Sequence, residues 1–212
     1  MLRDAAVEII KRGVGFRRGT ALDATIIAAL KQAQAEFEGA HSLPWFLRQE
    51  NQTQALTSGT ASYALPTGFV DIDNTFNPTY IVDSASEEAM VTPIAYDEGK
   101  ALFISSASGV PIHYSIRTST IVFFPTPDDS YTFYWSYYKT ADTLDTNIEN
   151  LWLLHAPYVL IANAGLKVAT DIRDLEATAI YKAEVQKWND WFTRRMTEKL
   201  EQNTRYAVGR YA

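Results

Sequence analysis

The chain has 212 residues, is 47% hydrophobic and 13% aromatic, contains no cysteine and carries a formal net charge of -6. That apolar content supports a packed core and excludes wholesale disorder, and the missing cysteines exclude disulfide scaffolds, thiolate-ligated zinc, iron–sulfur clusters and thiol nucleophiles. A mean hydropathy of -0.16, with no apolar run near the ~20 residues a spanning helix needs, excludes a transmembrane helix, and the charged opening MLRDAAVEIIKRG is not a signal peptide.

The spacing predicts a short helix over residues 2–12, with Val7 and Ile10 inward and Gly13 as its stop. Residues 13–19 are glycine-rich and read as a loop. Thr20 is placed as the N-cap of a second helix, with Asp23 completing an imperfect capping box. Leu22, Ile26, Leu30, Ala33 and Phe37 give that helix its apolar stripe, and Gly39 ends it. Pro44-Trp45-Phe46-Leu47 forms an apolar knot, and the polar run from Gln49 to Thr60 is expected to be an exposed loop.

The period then falls to two. Ile112, Tyr114 and Ile116 alternate with His113, Ser115 and Arg117; Thr118-Ser119 makes a turn, and Ile121 to Phe124 follows. Tyr131 to Tyr138 is strand-like throughout, since aromatic and β-branched side chains suit a pleated surface. Weaker strand candidates are Tyr80 to Val82, Val91 to Tyr96 and Leu102 to Ile104, with breaks at Gly99, Gly109-Val110-Pro111 and Pro125 to Asp129. From Ile148 the helical period returns. Pro157 breaks or starts a segment, Val159 to Thr170 reads as a buried helix, and Leu175 to Leu200 carries the stripe Tyr181, Val185, Trp188, Phe192, Met196 and Leu200. Beyond Asn203 no helical pattern remains, so an extended tail is expected.

The fold class is therefore α+β. Residues 1–60 and 148–203 build one helical bundle, residues 61–147 an inserted antiparallel β barrel or sandwich, and residues 204–212 the tail.

Charge is unevenly spread. Residues 1–56 hold seven Lys/Arg and six Asp/Glu, residues 57–150 three and twelve, and residues 151–212 nine and seven. The acidic middle would repel phosphate, so specific binding of nucleic acid is not expected. Catalytic motifs are missing as well: no G-x-S-x-G elbow, no Walker A run, and no third glycine after Gly13-Val14-Gly15. His41, His113 and His155 share no metal-ligand spacing, and the carboxylate pairs Asp71/Asp73, Glu87/Glu88, Asp97/Glu98 and Asp128/Asp129 sit in turn-like sequence. No enzyme activity, metal or cofactor is expected. The row Tyr131, Phe133, Trp135, Tyr137 could stack sugars or bases if exposed, which keeps open an alternative reading as a carbohydrate- or receptor-binding β module on helical supports. Tyrosine and tryptophan also anchor protein interfaces, and Trp45, Phe46, Tyr134, Tyr138 and Trp191 are the subunit-interface candidates. In the tail, Arg205-Tyr206 and Arg210-Tyr211 are anchor-type pairs on a segment too short to fold alone.

The ordered series Tyr63-Ala64-Leu65-Pro66-Thr67-Gly68-Phe69, Gly109 to Ile116, Pro125-Thr126-Pro127 ahead of Tyr137-Tyr138, Leu144, Trp152-Leu153-Leu154 and the alanine-rich helix to Leu166 and Ala169 resembles the head-to-tail adaptor (head-completion or tubular tail) proteins of tailed bacteriophages. The resemblance spans about residues 20–200; Thr118-Ser119 departs from the glycine-containing turn of that pattern. It implies a structural virion protein of the neck, assembled in the host bacterial cytoplasm, with no membrane partner. Twelve copies would form a ring beneath the portal protein, extending the DNA channel and presenting a platform for the tail nozzle or tube. Genomic DNA would pass through unbound. Arg205, Tyr206, Arg210 and Tyr211 would dock into the portal.

Overall fold

The computed structural model describes residues 1–15, 20–39, 43–73, 79–103 and 107–208, with side chains as far as residue 199. In chain order the elements are α1 (Arg3–Gly13), α2 (Asp23–Glu38), a single 3-10 turn (Trp45–Leu47), β1 (Arg48–Leu56), β2 (Ser62–Ala64), β3 (Phe69–Ile72), β4 (Tyr80–Val82), β5 (Glu88–Met90) and β6 (Thr92–Pro93). Then follow α3 (Tyr96–Leu102), β7 (Ser108–Gly109), β8 (His113–Arg117), β9 (Thr120–Phe124), β10 (Thr126–Pro127), β11 (Tyr131–Lys139), α4 (Leu151–His155), α5 (Pro157–Asp171) and α6 (Leu175–Val208). The chain divides into a helical unit, Met1–Leu47 with Thr140–Ala212, and a β unit, Arg48–Lys139.

In the helical unit α5 is the central element. Pro157 opens it, where a missing N–H costs nothing, and Val159, Leu160, Ala162, Ala164 and Val168 are all buried. Two glycines let the ring of Tyr181 lie flush against the backbone: a Cβ on Gly165 would stand 2.3 Å from the ring, and one on Gly13 would stand 2.1 Å from its hydroxyl oxygen. Tyr181 thereby locks α6 to α5 and α1. α2 begins at Asp23 with Leu22, not the expected Thr20, at its N-cap position, and the Asp23 carboxylate pairs with Lys11 at 3.0 Å. Asn150 caps α4 by accepting from the Leu153 N–H at 3.0 Å. Glu38 gathers three donors onto one carboxylate oxygen: Trp152 Nε1–H at 2.7 Å, the Gln34 amide at 3.0 Å and the Ala141 N–H at 3.2 Å. That network fixes the segment after Thr140 to α2 and α4.

In the β unit one sheet runs β1-β11-β4-β5, with β3 also on β11, and a second runs β2-β9-β8-β6. Each sheet path has two ends, so the expected barrel is not closed. Nor is pairing wholly antiparallel, for β6 pairs β8 and β7 pairs β10 in parallel. The apolar faces of both sheets meet in one core of Leu56, Ile72, Ile81, Tyr114, Ile121, Phe123, Phe133, Trp135 and neighbours.

Three segments differ from expectation for identifiable reasons. The polar run after Leu47 is strand β1, an edge strand on β11, where one face and the outer edge stay wet and polar side chains cost little. Gly99 lies inside helix α3, where the ring of Phe124 occupies the space a Cβ would take (2.7 Å). The segment from Thr204 is not extended as far as Val208: α6 continues through it, since residues 204–208 contain neither glycine nor proline.

Candidate interaction surfaces

The candidates named from sequence fall into different surroundings. Phe46 is 7% exposed. Its ring stacks on His155 (centroids 5.1 Å, planes 16° apart) and meets Trp152 edge-on at 5.0 Å. Phe46 thus belongs to the helical unit's own core, and desolvation holds the His155 imidazole below its ordinary pKa. Trp45 is half-buried and covers the same cluster, 5.2 Å from Phe46 and 6.3 Å from Phe192.

Trp191 is half-buried at the end of an outer aromatic ladder. Tyr158 of α5 stacks on Trp188 of α6 (4.8 Å, 20°), and Trp191 meets Trp188 edge-on at 6.0 Å. Glu184 accepts the Trp188 indole N–H at 2.7 Å, while the Lys187 ammonium lies over the same ring at 4.8 Å. Hydrogen bonds from Lys187 and then Trp188 hold the Glu184 carboxyl below the usual range. Tyr158 in this ladder (45%) and Leu154 of α4 (54%) are exposed among the described residues.

On the β unit, Tyr134 stacks nearly flat on Tyr80 (4.9 Å, 3°). Strand register sets Thr53, Tyr134, Tyr80 and Met90 in one cross-strand row, and Met90 is 56% exposed. Tyr138 is half-buried opposite Arg48; burial, with Asp73 adding to it, pushes its phenol up. Arg48 is engaged with Asp73 at 2.5 Å and Glu50 at 2.9 Å. The alternate row Tyr131, Phe133, Trp135 and Tyr137 is no more than 8% exposed. Those rings fill the core and present no face to a sugar.

Arg205 and Tyr206 lie on α6, and Arg210 and Tyr211 lie outside the described residues, as does His41. The sequence reading missed Tyr158, Trp188, Tyr80 and Met90 as surface residues. Trp188 shares a helix face with Trp191, three residues on, but only the pairing of α5 with α6 brings Tyr158 to it.

The carboxylate pairs are occupied with local structure. Asp71 accepts from the Ile72 N–H, Asp129 from the Ser130 N–H and Asp128 from the Tyr131 hydroxyl at 2.7 Å. His113 shares a hydrogen bond with Thr92 at 2.8 Å. Among the described residues no three His, Asp or Glu side chains gather as metal ligands, and no helix is long and apolar enough to cross a membrane.

Stacked aromatics at the surface, a capped and cross-braced helical unit and a long final helix are the equipment of an α+β structural protein that works through contact. The family model for the SU10 adaptor protein matches residues 2–211. The chain belongs to that family of phage head–tail adaptors. It is accordingly a phage structural adaptor. Comparison with curated proteins gives no match.

Proposed function

We propose that copies of this chain close into a ring of twelve beneath the portal, extend the DNA channel and offer the platform on which the tail nozzle or tube docks, without catalysis. In this reading Arg205 and Tyr206, on the end of α6, are the portal anchor together with Arg210 and Tyr211, which follow it in the sequence.

The observation that carries the proposal is the length of α6. Its 34 residues span about 50 Å at ~1.5 Å per residue, whereas the 15 residues of α5 span about 22 Å. Phe192 is the last α6 residue buried among those whose side chains are described. The remaining 16 residues, Thr193 to Val208, are close to the length at which an isolated helix is marginal in water. A partner surface would bury the described part of that stretch, Thr193 to Lys199, in which no side chain is buried. The aromatic surfaces at Tyr158/Trp188/Trp191 and Tyr80/Tyr134 suit a ring, where each copy needs two different faces. Host cytoplasmic assembly completes the proposal.

Removing residues 204–212 tests the anchor. The truncated chain is expected to keep its fold by circular dichroism and to bind purified portal protein at least about tenfold more weakly, a loss of ~1.4 kcal/mol. Unchanged portal binding would refute the anchor assignment.

A further inference from the structure

The charge of the protein is confined to one unit. The helical unit has fifteen basic and fifteen acidic residues, while the β unit has four basic and ten acidic, which accounts for the whole net charge of -6. β units brought side by side in a ring would repel one another unless their few cations were placed against a neighbour's acids.

The four cations are not scattered. Arg48 is engaged internally with Asp73 and Glu50, and Lys139 ends β11. The remaining two converge on one ring: the Arg117 guanidinium lies 4.1 Å and the Lys100 ammonium 5.2 Å from the centroid of Tyr96. Both are exposed, and neither forms an ion pair with a described carboxylate within the β unit. Such a pair of cations gripping a tyrosine is oriented by the ring and still has its N–H donors free.

The Tyr96 ring also lies 6.0 Å from that of Phe124, the last residue of β9, and a group of acids follows in the chain beyond that strand. Arg117 faces Thr120 at the hairpin turn. The chain leaves β9 at Phe124, about 13 Å further on at ~3.3 Å per residue, and then reaches the exposed Asp128 and Asp129. Asp83 joins them: Val82 pairs with Thr132, which sets Asp83 beside Tyr131, whose hydroxyl donates to Asp128 at 2.7 Å. Glu87 closes the same turn as Asp83, donating its N–H to the Asp83 carboxylate at 2.8 Å.

We infer that the Tyr96–Lys100–Arg117 cluster of one copy docks the acidic pole at Asp83, Glu87, Asp128 and Asp129 of the next, making a head-to-tail contact between β units. The inference rests on the ring proposed above. A second copy of the chain is the occupant argued for, because its pole presents carboxylates to two cations that pair with no described carboxylate of their own β unit. Two unlike patches, one of cations and one of acids, on the same β unit give the heterologous contact that ring closure requires.

The test is charge reversal and rescue in the full-length chain, scored by native mass spectrometry and sedimentation, alone and with purified portal protein. K100E/R117E and E87K/D129K are each expected to weaken self-association at least about tenfold, and the quadruple variant to recover it. E87K/D129K leaves Asp83 and Asp128, which hold the turn and Tyr131, untouched. Because the chain has no cysteine, R117C/D129C copies offer a second measurement: a short bismaleimide is expected to link them into ladders. If the wild type assembles and both double variants assemble equally well, the contact is overturned while the ring stands. A folded quadruple variant that stays dissociated, or R117C/D129C copies that never cross-link within assembled rings, would likewise overturn it. A wild type that remains monomeric with and without portal overturns the ring itself.

Discussion

Gly165→Ala is the sharpest perturbation of the helical unit, because two opposing effects can be weighed in advance. Replacing a mid-helix glycine by alanine ordinarily stabilises by about 1 kcal/mol through backbone entropy. Here the new methyl would stand 2.3, 2.5 and 2.7 Å from three atoms of the Tyr181 ring, and Tyr181 is itself held on its far side by Gly13. Overpacking of this kind costs ~1–3 kcal/mol, and a ring wedged between two backbones leaves the upper part of that range. The net expectation is a loss of about 1–2 kcal/mol, or ~2–8 °C in melting temperature for a chain of this size. Denaturant unfolding followed by far-ultraviolet circular dichroism reports mainly on the helices and is the appropriate assay. A second background makes the reasoning testable without an absolute number. With Tyr181→Leu the ring is gone, the propensity gain acts alone, and Gly165→Ala should become stabilising by about 1 kcal/mol. If Gly165→Ala stabilises the wild type, or has the same effect in both backgrounds, the tyrosine lock is not what binds α6 to α5.

Two further outcomes are expected. Arg48→Ala takes the guanidinium away from a carboxylate, Asp73, whose side chain is 0% exposed, and should destabilise the β unit by ~3 kcal/mol, whereas R48M/D73L recovers most of the loss; unaltered amide exchange in β1 and β3 of Arg48→Ala would refute this. In the helical unit, hydrogen bonds from Lys31, Lys167 and Lys187 hold Asp145, Glu36 and Glu184 below the usual carboxylate range. Their contribution is present above the unfolded carboxylate pKa of ~4 and is lost as pH falls through the lower folded values, so helical stability should decline progressively below about pH 5 and less steeply in 1 M salt. Stability rising between pH 5 and 3 would contradict the sign.

The elements that could be read from sequence are those whose burial dictates their composition. β11 buries Tyr131, Phe133, Trp135 and Tyr137 on one face, and its alternation survives any reading; α5, buried nearly all round, is equally plain. β1 was invisible because an edge strand with one wet face tolerates Gln, Asn and Thr, the vocabulary of a loop. Helix α3 was hidden because Gly99 punctuates the pattern, and only the Phe124 ring explains why a glycine belongs inside a helix. The final turns of α6 fell to a composition argument: Asn203 and Thr204 are poor helix formers, but each costs only ~0.5–0.7 kcal/mol against a helix already nucleated. Among the surface candidates, residue type alone could not separate Phe46, sunk between Trp152 and His155, from Trp191, left half outside. That distinction is made by which helix packs on which.

The division of charge between the two units bears on how an adaptor can be both adhesive and slippery. Aromatic association is short-ranged and gains nothing from net charge, so the electrically balanced helical unit can present the Tyr158–Trp188–Trp191 ladder to a partner without a long-range electrostatic penalty. The β unit carries the entire surplus of negative charge, and each copy added to a ring adds the same surplus again. Within a Debye length of ~8–10 Å that field opposes both a neighbouring β unit and a phosphate backbone. The neighbour can be admitted by one local pairing of cations with acids, which is directional and satisfied once per contact. A passing polymer of phosphates offers no acids complementary in shape to that cluster and meets the acidic residues everywhere else. In the proposed ring, selectivity for a protein neighbour over DNA would follow from having few cations, two of them held together around one ring, rather than from having none.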